Sequence, residues 1–128
     1  MDKKQKQKIL IVDDDVAIVR VLKGEFEEEG FEVLTAYNGQ IGIDKALSDF
    51  PDLILLDIVM PVIDGLEVLR VLRKDKRGAD IPVVVLTNYD EMEKMAKAKE
   101  MGAIDFLVKS DWRMQDIMEK VARVLRKK

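Results

Sequence analysis

Five polar side chains follow directly on short apolar runs of this sequence: Asp13, Asp14, Asp57, Thr87 and Lys109. Short apolar runs that end at chain breakers are typical of strands buried on both faces of a parallel sheet. The carboxyl ends of parallel strands share one edge of the sheet, and open α/β sheets bind their ligands there. We therefore expect the three carboxylates, the hydroxyl and the ammonium group to converge on one cleft.

This set of groups suits phosphoryl transfer. Asp57 is the candidate nucleophile, because an ionised carboxylate attacks phosphorus without help from a general base. Crowded acids repel one another, and Mg²⁺ would relieve that repulsion while it binds one or two carboxylates and phosphate oxygens. Lys109 would offset charge on the transferring group, and Thr87 would donate a hydrogen bond to a phosphoryl oxygen. Taken singly, each residue has an ordinary structural role, so the hypothesis depends on the combination.

The elements that must position these residues alternate strand and helix five times. The predicted strands cover residues 8–12, 31–36, 53–57, 81–87 and 103–108. Helical periodicity lies between them, on the apolar residues Ile18, Val19, Leu22 and Phe26, then Ile41, Ala46 and Leu47, then Leu66, Leu69, Val71 and Leu72, then Met92, Met95 and Ala98, and finally Ile117, Val121, Val124 and Leu125. Strands separated by about 10–15 helical residues favour parallel pairing with right-handed crossovers. The pattern predicts an α/β domain with a five-stranded parallel sheet, doubly wound with five helices. For its strand order we adopt 2-1-3-4-5, a known common order of doubly wound sheets, in which strands one and three are neighbours.

Several residues mark the predicted helix ends. Asp15 would cap the first helix, and Gly30 would follow its last turn. Asn38-Gly39 is a turn or cap before the second helix. Asp90 with Glu93 resembles a capping box before the fourth helix, and Ser110 or Asp111 would cap the fifth. Residues 1–7 are predicted to be a flexible tail, and residues 8–127 the folded domain.

The composition excludes several kinds of site. The 128 residues suit one domain and include neither cysteine nor histidine, so disulfides, thiolate or imidazole metal sites and Ser-His-Asp hydrolysis are ruled out. Any metal must be a hard cation held by oxygen. The net charge of −3, from 22 basic and 25 acidic residues, argues against direct nucleic-acid binding. No apolar run suits a signal peptide or a membrane span, so a cytoplasmic location is expected.

The motifs Ile11-Val12-Asp13-Asp14-Asp15, Asp57 to Pro61 with Asp64-Gly65, Leu86-Thr87, and Phe106 to Lys109 together resemble those of receiver domains of two-component response regulators. The resemblance covers residues 8–127 and implies a flavodoxin-like fold. It implies that Asp57 is the phosphoacceptor and that Mg²⁺ is bound by Asp14, Asp57 and the Val59 carbonyl, with Asp13 acting through water. It also implies that Lys109 contacts the phosphoryl group and that Thr87 and Phe106 form the switch pair.

The sequence departs from this family at Ser110 and Asn88. Most members follow the lysine with a cis-proline, whereas Ser110 follows Lys109 here; a trans bond is predicted, since a non-proline cis bond costs about 3–4 kcal/mol. The residue after Thr87 is usually small but is Asn88 here, which would narrow access to Asp57. Val59 and Tyr89 would flank the phosphoryl group and impede an attacking water. These three residues predict a long-lived phosphoryl state.

The expected function is a signalling switch that a sensor histidine kinase, a phosphotransfer protein or a small acyl phosphate phosphorylates. The resemblance implies output to a downstream protein through the surface of the fourth helix, fifth strand and fifth helix, without enzymatic turnover, and it allows a weak homodimer. Three alternatives remain. A haloacid-dehalogenase-like phosphatase would need an acid where Val59 stands. A flavodoxin-like FMN carrier would need a Ser/Thr/Gly-rich loop where Asp13 to Asp15 stand. A receiver that is never phosphorylated and acts only as a docking module is the third.

Overall fold

Five short parallel strands carry the fold in the computed structural model, which describes residues 6–111 and 113–126. The strands are β1 (Lys8–Val12), β2 (Glu32–Ala36), β3 (Leu53–Asp57), β4 (Val83–Thr87) and β5 (Asp105–Val108). The helices are α1 (Val16–Glu28), α2 (Gly39–Asp49), α3 (Gly65–Lys74), α4 (Met92–Glu100) and α5 (Met114–Arg126). Two 3-10 turns, Tyr89–Glu91 and Lys109–Asp111, follow β4 and β5.

The strand order is β2-β1-β3-β4-β5, which confirms the predicted topology. All four neighbouring pairs are parallel. The register places Val12 beside Leu56, so Asp13 and Asp57 both follow at the same edge of the sheet. Thr87 pairs with Val108, which puts Lys109 one residue beyond that edge. Because β1 and β3 are neighbours in the sheet, Asp13 and Asp57 come together although they are distant in sequence.

The sheet is buried on both faces, as its apolar strands predict. One core packs alternate strand residues such as Leu10, Ile54 and Val85 with residues of α2, α3 and α4. The other packs the intervening residues, such as Ile11, Leu55 and Val84, with α1 and α5. Successive side chains on a strand point to opposite faces, which explains why no residue of β3 or β4 is left polar before the last position. The doubly wound arrangement is confirmed.

Side chains cap the starts of three helices on the functional edge; the caps at Asp15 and Asn38 were predicted, whereas the cap at Asp64 was not. The Asp15 carboxylate accepts from the backbone N–H groups of Ala17 and Ile18, at 3.1 and 3.2 Å. Asn38 caps α2 through the N–H of Ile41, and Asp64 caps α3 through the N–H of Glu67. These acceptors satisfy backbone donors that the first helical turn leaves unpaired. Gly30 follows α1 with a φ of 96°, as predicted for a residue after a helix end.

Three local predictions are wrong. The fourth helix is preceded by a 3-10 turn, and the backbone N–H of Asn88 donates to Glu91 Oε1 at 3.1 Å, so Asn88 and Glu91, not Asp90 and Glu93, form the capping box. The fifth helix begins at Met114, because residues 109–111 form the second 3-10 turn, so both predicted cap positions, 110 and 111, precede the residue that directly flanks the helix.

The third error concerns the inward face of α2. Ile41 is 42% exposed, whereas Ile43 and Ala46 are buried. Gly42 lies against β1, where an added Cβ would stand 2.7 Å from Val12 Cγ1. This close approach turns Ile41 outward. Among the described residues, no helix is long and apolar enough to cross a membrane.

Candidate functional site

Three carboxylates from two strands meet at the carboxyl edge of the sheet. Oxygen atoms of Asp13, Asp14 and Asp57 all lie within 4.8 Å of one another. Asp13 is fully buried and Asp57 is 3% exposed, whereas Asp14 faces solvent. The end of β1 supplies the first two acids and the last residue of β3 supplies Asp57. The predicted convergence of the acids is therefore present, with one member open to a ligand from solution.

Lys109 is the counter-ion that the two buried acids share. Its Nζ lies 3.0 Å from Asp13 Oδ2 and 3.3 Å from Asp57 Oδ2, and its side chain is 14% exposed. Burial alone would lower the pKa of Lys109, but the hydrogen bond and charge of Asp13, together with Asp57, outweigh it and raise the pKa. The lysine is therefore charged at neutral pH and balances one of the two carboxylates.

The second carboxylate charge is not balanced in the same way. Burial, followed by repulsion from Asp13, raises the pKa of Asp57 from 3.8 to about 7, although Lys109 and the Val59 N–H oppose the shift. The Val59 N–H donates to Asp57 Oδ1 at 3.3 Å. At neutral pH the cluster therefore favours either a proton on Asp57 or a further cation beside it.

The donor set fits a hard divalent cation. All the available side-chain groups are carboxylates, which Mg²⁺ prefers, and Asp14 leaves one side of the cluster accessible. Asp13 Oδ2 is buried and forms an ion pair with Lys109 Nζ at 3.0 Å. The same ammonium group also lies beside Asp57, so one cation faces two buried carboxylates, and a divalent cation would balance the remaining negative charge.

Thr87 reaches the predicted edge, and its hydroxyl is hydrogen-bonded to the neighbouring backbone. The residue is fully buried, and Oγ1 donates to the carbonyl oxygen of Asn88 at 3.2 Å. Phe106, two strands away from Asp57, is half-buried and packs against the α4 side of the core. The two residues of the expected switch pair thus lie on neighbouring strands, β4 and β5.

The residues that depart from the family pattern also lie at this edge. Val59 is 38% exposed beside Asp57, and Asn88 is half-buried after β4. The side chain of Tyr89 lies outside the described part of the structure. The Lys109–Ser110 peptide bond is trans, which confirms that prediction. The chain continues after β5 in the 3-10 turn at Lys109–Asp111.

Sequence reasoning named Gly65 only as part of the Asp64-Gly65 motif and missed its contact with the site. Gly65 begins α3, and its N–H donates to the Ile58 carbonyl oxygen at 2.9 Å. An added Cβ would collide with the Asp57 carbonyl oxygen and would stand 2.7 Å from Ile58 Cα. The glycine lets α3 pack directly on the backbone that carries Asp57. The only signal in the sequence was its position after the helix cap Asp64.

Comparison with known proteins places these observations in a family. Residues 9–122 match the family model described as the response regulator receiver domain. Over 121 residues the chain is 36% identical to the alkaline phosphatase synthesis transcriptional regulatory protein PhoP of Bacillus subtilis, covering 94% of this chain and 49% of that protein. It is 34% identical over 119 residues to the response regulator ArlR of Staphylococcus aureus, covering 93% of this chain and 52% of ArlR. The chain thus spans about half the length of the curated relatives it matches.

Solved structures agree with the sequence comparison. The chemotaxis protein CheY4 of Vibrio cholerae superimposes with a TM-score of 0.86 at 30% identity, covering 94% of this chain and 99% of CheY4. A CheY-like receiver domain protein of Methanospirillum hungatei gives a TM-score of 0.89 at 31% identity, covering 96% of both chains. Fold, sequence motifs and the acidic edge therefore lead to one conclusion: this chain belongs to the response regulator receiver domain family.

Proposed function

We propose that this domain is a signalling switch in which Asp57 accepts a phosphoryl group from a sensor histidine kinase, a phosphotransfer protein or a small acyl phosphate. One observation carries the proposal: Asp57 is a buried acid whose Oδ2 lies 3.3 Å from Lys109 Nζ within a cluster of three carboxylates. A buried, crowded carboxylate costs folding free energy, and such groups are concentrated at functional sites. Membership of the receiver family supports that use.

The transfer step needs few groups. A carboxylate oxygen of Asp57 forms a bond to phosphorus, and the bond from phosphorus to the donor breaks, with its electron pair leaving on the donor nitrogen or oxygen. The Lys109 ammonium group, which already lies beside Asp57, would form an ion pair with an oxygen of the incoming phosphoryl group. The Val59 N–H, now 3.3 Å from Asp57 Oδ1, keeps that carboxylate oriented. The aspartate is consumed as acceptor, so the domain is a switch and not a turnover enzyme.

Magnesium is the proposed cofactor, because it would neutralise charge on the carboxylates and on the phosphoryl oxygens. Asp14, Asp57 and the Val59 carbonyl would bind it, and Asp13 would do so through water. The exposed position of Asp14 supports this arrangement, since an entering ion meets that carboxylate first. The buried Asp13, paired with Lys109, is consistent with the indirect role.

The proposed signal passes through Thr87 and Phe106. On phosphorylation the Thr87 hydroxyl would leave Asn88 and turn to a phosphoryl oxygen, and Phe106 would fill the space that opens. The surface formed by α4, β5 and α5 would change and bind a downstream protein in the cytoplasm or a second copy of the chain weakly. Both conformations must exist beforehand, and phosphorylation shifts their populations. No direct role for nucleic acid or membrane is proposed.

A long-lived phosphoryl group is a second part of the proposal. Val59, half-exposed at the edge, and Asn88 after Thr87 are bulkier than a small residue would be, and Tyr89 follows. Bulky neighbours would exclude the water that hydrolyses the acyl phosphate. Loss of the phosphoryl group within seconds of removing the donor would contradict this part alone.

Intact mass after treatment with acetyl phosphate and Mg²⁺ tests the central proposal. The wild type should gain one phosphoryl group, and Asp57→Asn should gain none. Asp44→Asn, which changes an exposed acid on α2, is the matched control and should be labelled as the wild type is. Equal labelling of Asp57→Asn would show that another residue is the acceptor. No labelling of any variant, with either donor protein or acetyl phosphate, would favour the unphosphorylated docking module.

A further inference from the structure

The ring of Phe106 lies between two lysines that come from different helices. Lys99 Nζ, on α4, is 6.0 Å from the ring centroid, and Lys120 Nζ, on α5, is 5.7 Å from it. Ammonium groups attract the face of an aromatic ring out to about 6 Å. The half-buried ring is therefore held from both flanking helices in its present position.

Lys120 also holds the backbone of the same strand. Its Nζ donates to the Phe106 carbonyl oxygen at 2.9 Å and to Asp105 Oδ1 at 3.1 Å. Asp105 Oδ1 accepts in addition from the Phe106 N–H at 2.8 Å. The Lys120 side chain is 24% exposed, so these contacts are less screened by solvent than those of a fully exposed ion pair. One lysine thus contacts the ring, the carbonyl group and the neighbouring carboxylate.

These contacts belong to one state of the proposed switch. Thr87 Oγ1 bonds to Asn88 in the same structure, which is the arrangement expected before phosphorylation. In the proposed switch the Phe106 ring moves into space vacated by Thr87, and that movement would change its distances of 6.0 and 5.7 Å to the two ammonium groups. A contact made in only one of two conformations shifts the equilibrium toward that conformation.

We propose that Lys120 is a positioning residue that holds Phe106 in the resting state and so sets how readily the domain is activated. Lys99 supports the same position more weakly, because it is exposed. The inference rests on the proposed phosphorylation switch and adds the group that sets its resting balance. Removing the Lys120 ammonium should raise the population of the active-like state by about 2- to 5-fold, the range that one cation–π contact of moderate strength provides.

Fluorine NMR of protein labelled with 4-fluorophenylalanine measures the ring position directly. The chain has four phenylalanines, so Phe106→Leu identifies the signal of interest. Beryllofluoride with Mg²⁺ gives the reference for the active state. In Lys120→Met, without beryllofluoride, the Phe106 signal should move toward that reference, and the rate of labelling by acetyl phosphate should rise by about 2- to 5-fold.

Two variants separate a switch effect from a structural one. Lys120→Arg keeps the cation and should restore the wild-type signal and rate. Lys23→Met removes a comparable lysine, one paired with Glu27 at 2.7 Å on α1, and should change neither. If Lys120→Met does not fold, Lys99→Met provides the test, with a smaller shift in the same direction. Failure of arginine to restore the wild type would overturn the proposal, because the cation would then not be the cause.

The outcome also distinguishes this inference from the function on which it rests. If the wild type is labelled by acetyl phosphate and its Phe106 signal responds to beryllofluoride, the switch exists. A Lys120→Met protein that then matches the wild type in both signal and rate overturns the role of Lys120 alone. A wild type that is neither labelled nor shifted overturns the proposed function instead.

Discussion

The chemistry of this domain begins with an excess of buried negative charge. Asp13 and Asp57 share the ammonium group of Lys109, which lies slightly closer to Asp13. Two carboxylates beside one cation leave one negative charge, which a proton or a metal ion must neutralise. The raised pKa of Asp57 is the physical expression of this imbalance. Asp57, the proposed phosphoacceptor, is therefore held in an unfavourable environment when no metal is bound.

The pH dependence of stability should reveal this imbalance. Because the pKa of Asp57 is raised from 3.8 to about 7 on folding, the folded metal-free protein binds a proton between these values that the unfolded chain has released. Its contribution to stability is therefore greatest below about pH 4 and is lost as pH rises to about 7. Urea unfolding in EDTA should show Asp57→Asn gaining on the order of 2 kcal/mol over wild type between pH 5 and pH 8.

Other carboxylates titrate over the same range, so the difference between the two proteins is the quantity to follow. Asp44→Asn serves as the control, since its side chain is exposed on α2. A constant difference between wild type and Asp57→Asn across this pH range would mean that Asp57 has an ordinary pKa in the folded protein.

At the scale of elements, the site depends on how closely α3 approaches β3. Gly65 allows the first turn of α3 to pack on the backbone of Asp57 and Ile58. Asp64 caps the helix one residue earlier, so the cap and the close contact together fix where the loop after Asp57 must end. The loop between them contains Val62, a fully exposed residue with a φ of 69°, a conformation that β-branched side chains rarely adopt. The path of this loop is thus set by its two ends and not by preferences of its own residues.

Two glycine-to-alanine substitutions should have opposite effects. Gly65→Ala forces a methyl group into the backbone of Asp57 and Ile58 and should lower the free energy of unfolding by about 1–3 kcal/mol. Gly24→Ala, within α1, has no heavy atom within 4 Å of the added Cβ and should raise it by about 0.5–1 kcal/mol. Urea denaturation of the two variants measures both. Similar effects of the two substitutions would show that α3 can move away from β3 at little cost.

At the scale of the whole molecule, the doubly wound fold separates stability from function. Two apolar cores on the two faces of the sheet hold the strands in place, and the acids lie beyond the last apolar residue at the edge. The free energy gained by burying both faces of the sheet is large compared with the cost of crowding the carboxylates at its edge, so the fold remains stable with this cluster. Binding at the edge would act on the entire fold, because the ligand contacts come from β1, β3 and β5 together.

Magnesium should therefore stabilise the folded chain as a unit. At about 100 times its dissociation constant, Mg²⁺ should raise the free energy of unfolding by about 2.7 kcal/mol. Asp14→Asn should remove most of this gain while it leaves the metal-free stability nearly unchanged, because Asp14 is exposed. Thermal denaturation with and without Mg²⁺ measures both quantities. Equal stabilisation of wild type and Asp14→Asn would place the ion elsewhere.

The sequence alone was sufficient for the architecture and for the identity of the edge residues. Five apolar runs, each ending in a polar residue or a breaker, predict parallel strands, and helical spacing between them predicts the crossovers. Asp13, Asp14, Asp57 and Lys109 were found in this way because apolar periodicity stops where solvent and ligands begin. The side-chain caps at Asp15 and Asn38 followed equally from local chemistry, since a cap is formed by residues a few positions apart.

Only the tertiary structure decided how these residues are paired. Lys109 lies nearer to Asp13 than to Asp57, and Lys120 on α5 donates to the carbonyl oxygen of Phe106 on β5. Local sequence preferences likewise did not predict that α5 starts at Met114 or that the side chain of Ile41 is exposed. Each depends on distances between segments far apart in the chain, which backbone packing sets and which periodicity does not encode. Hydrogen bonds and ion pairs act over a few ångströms, so small displacements between elements determine which partner a side chain meets.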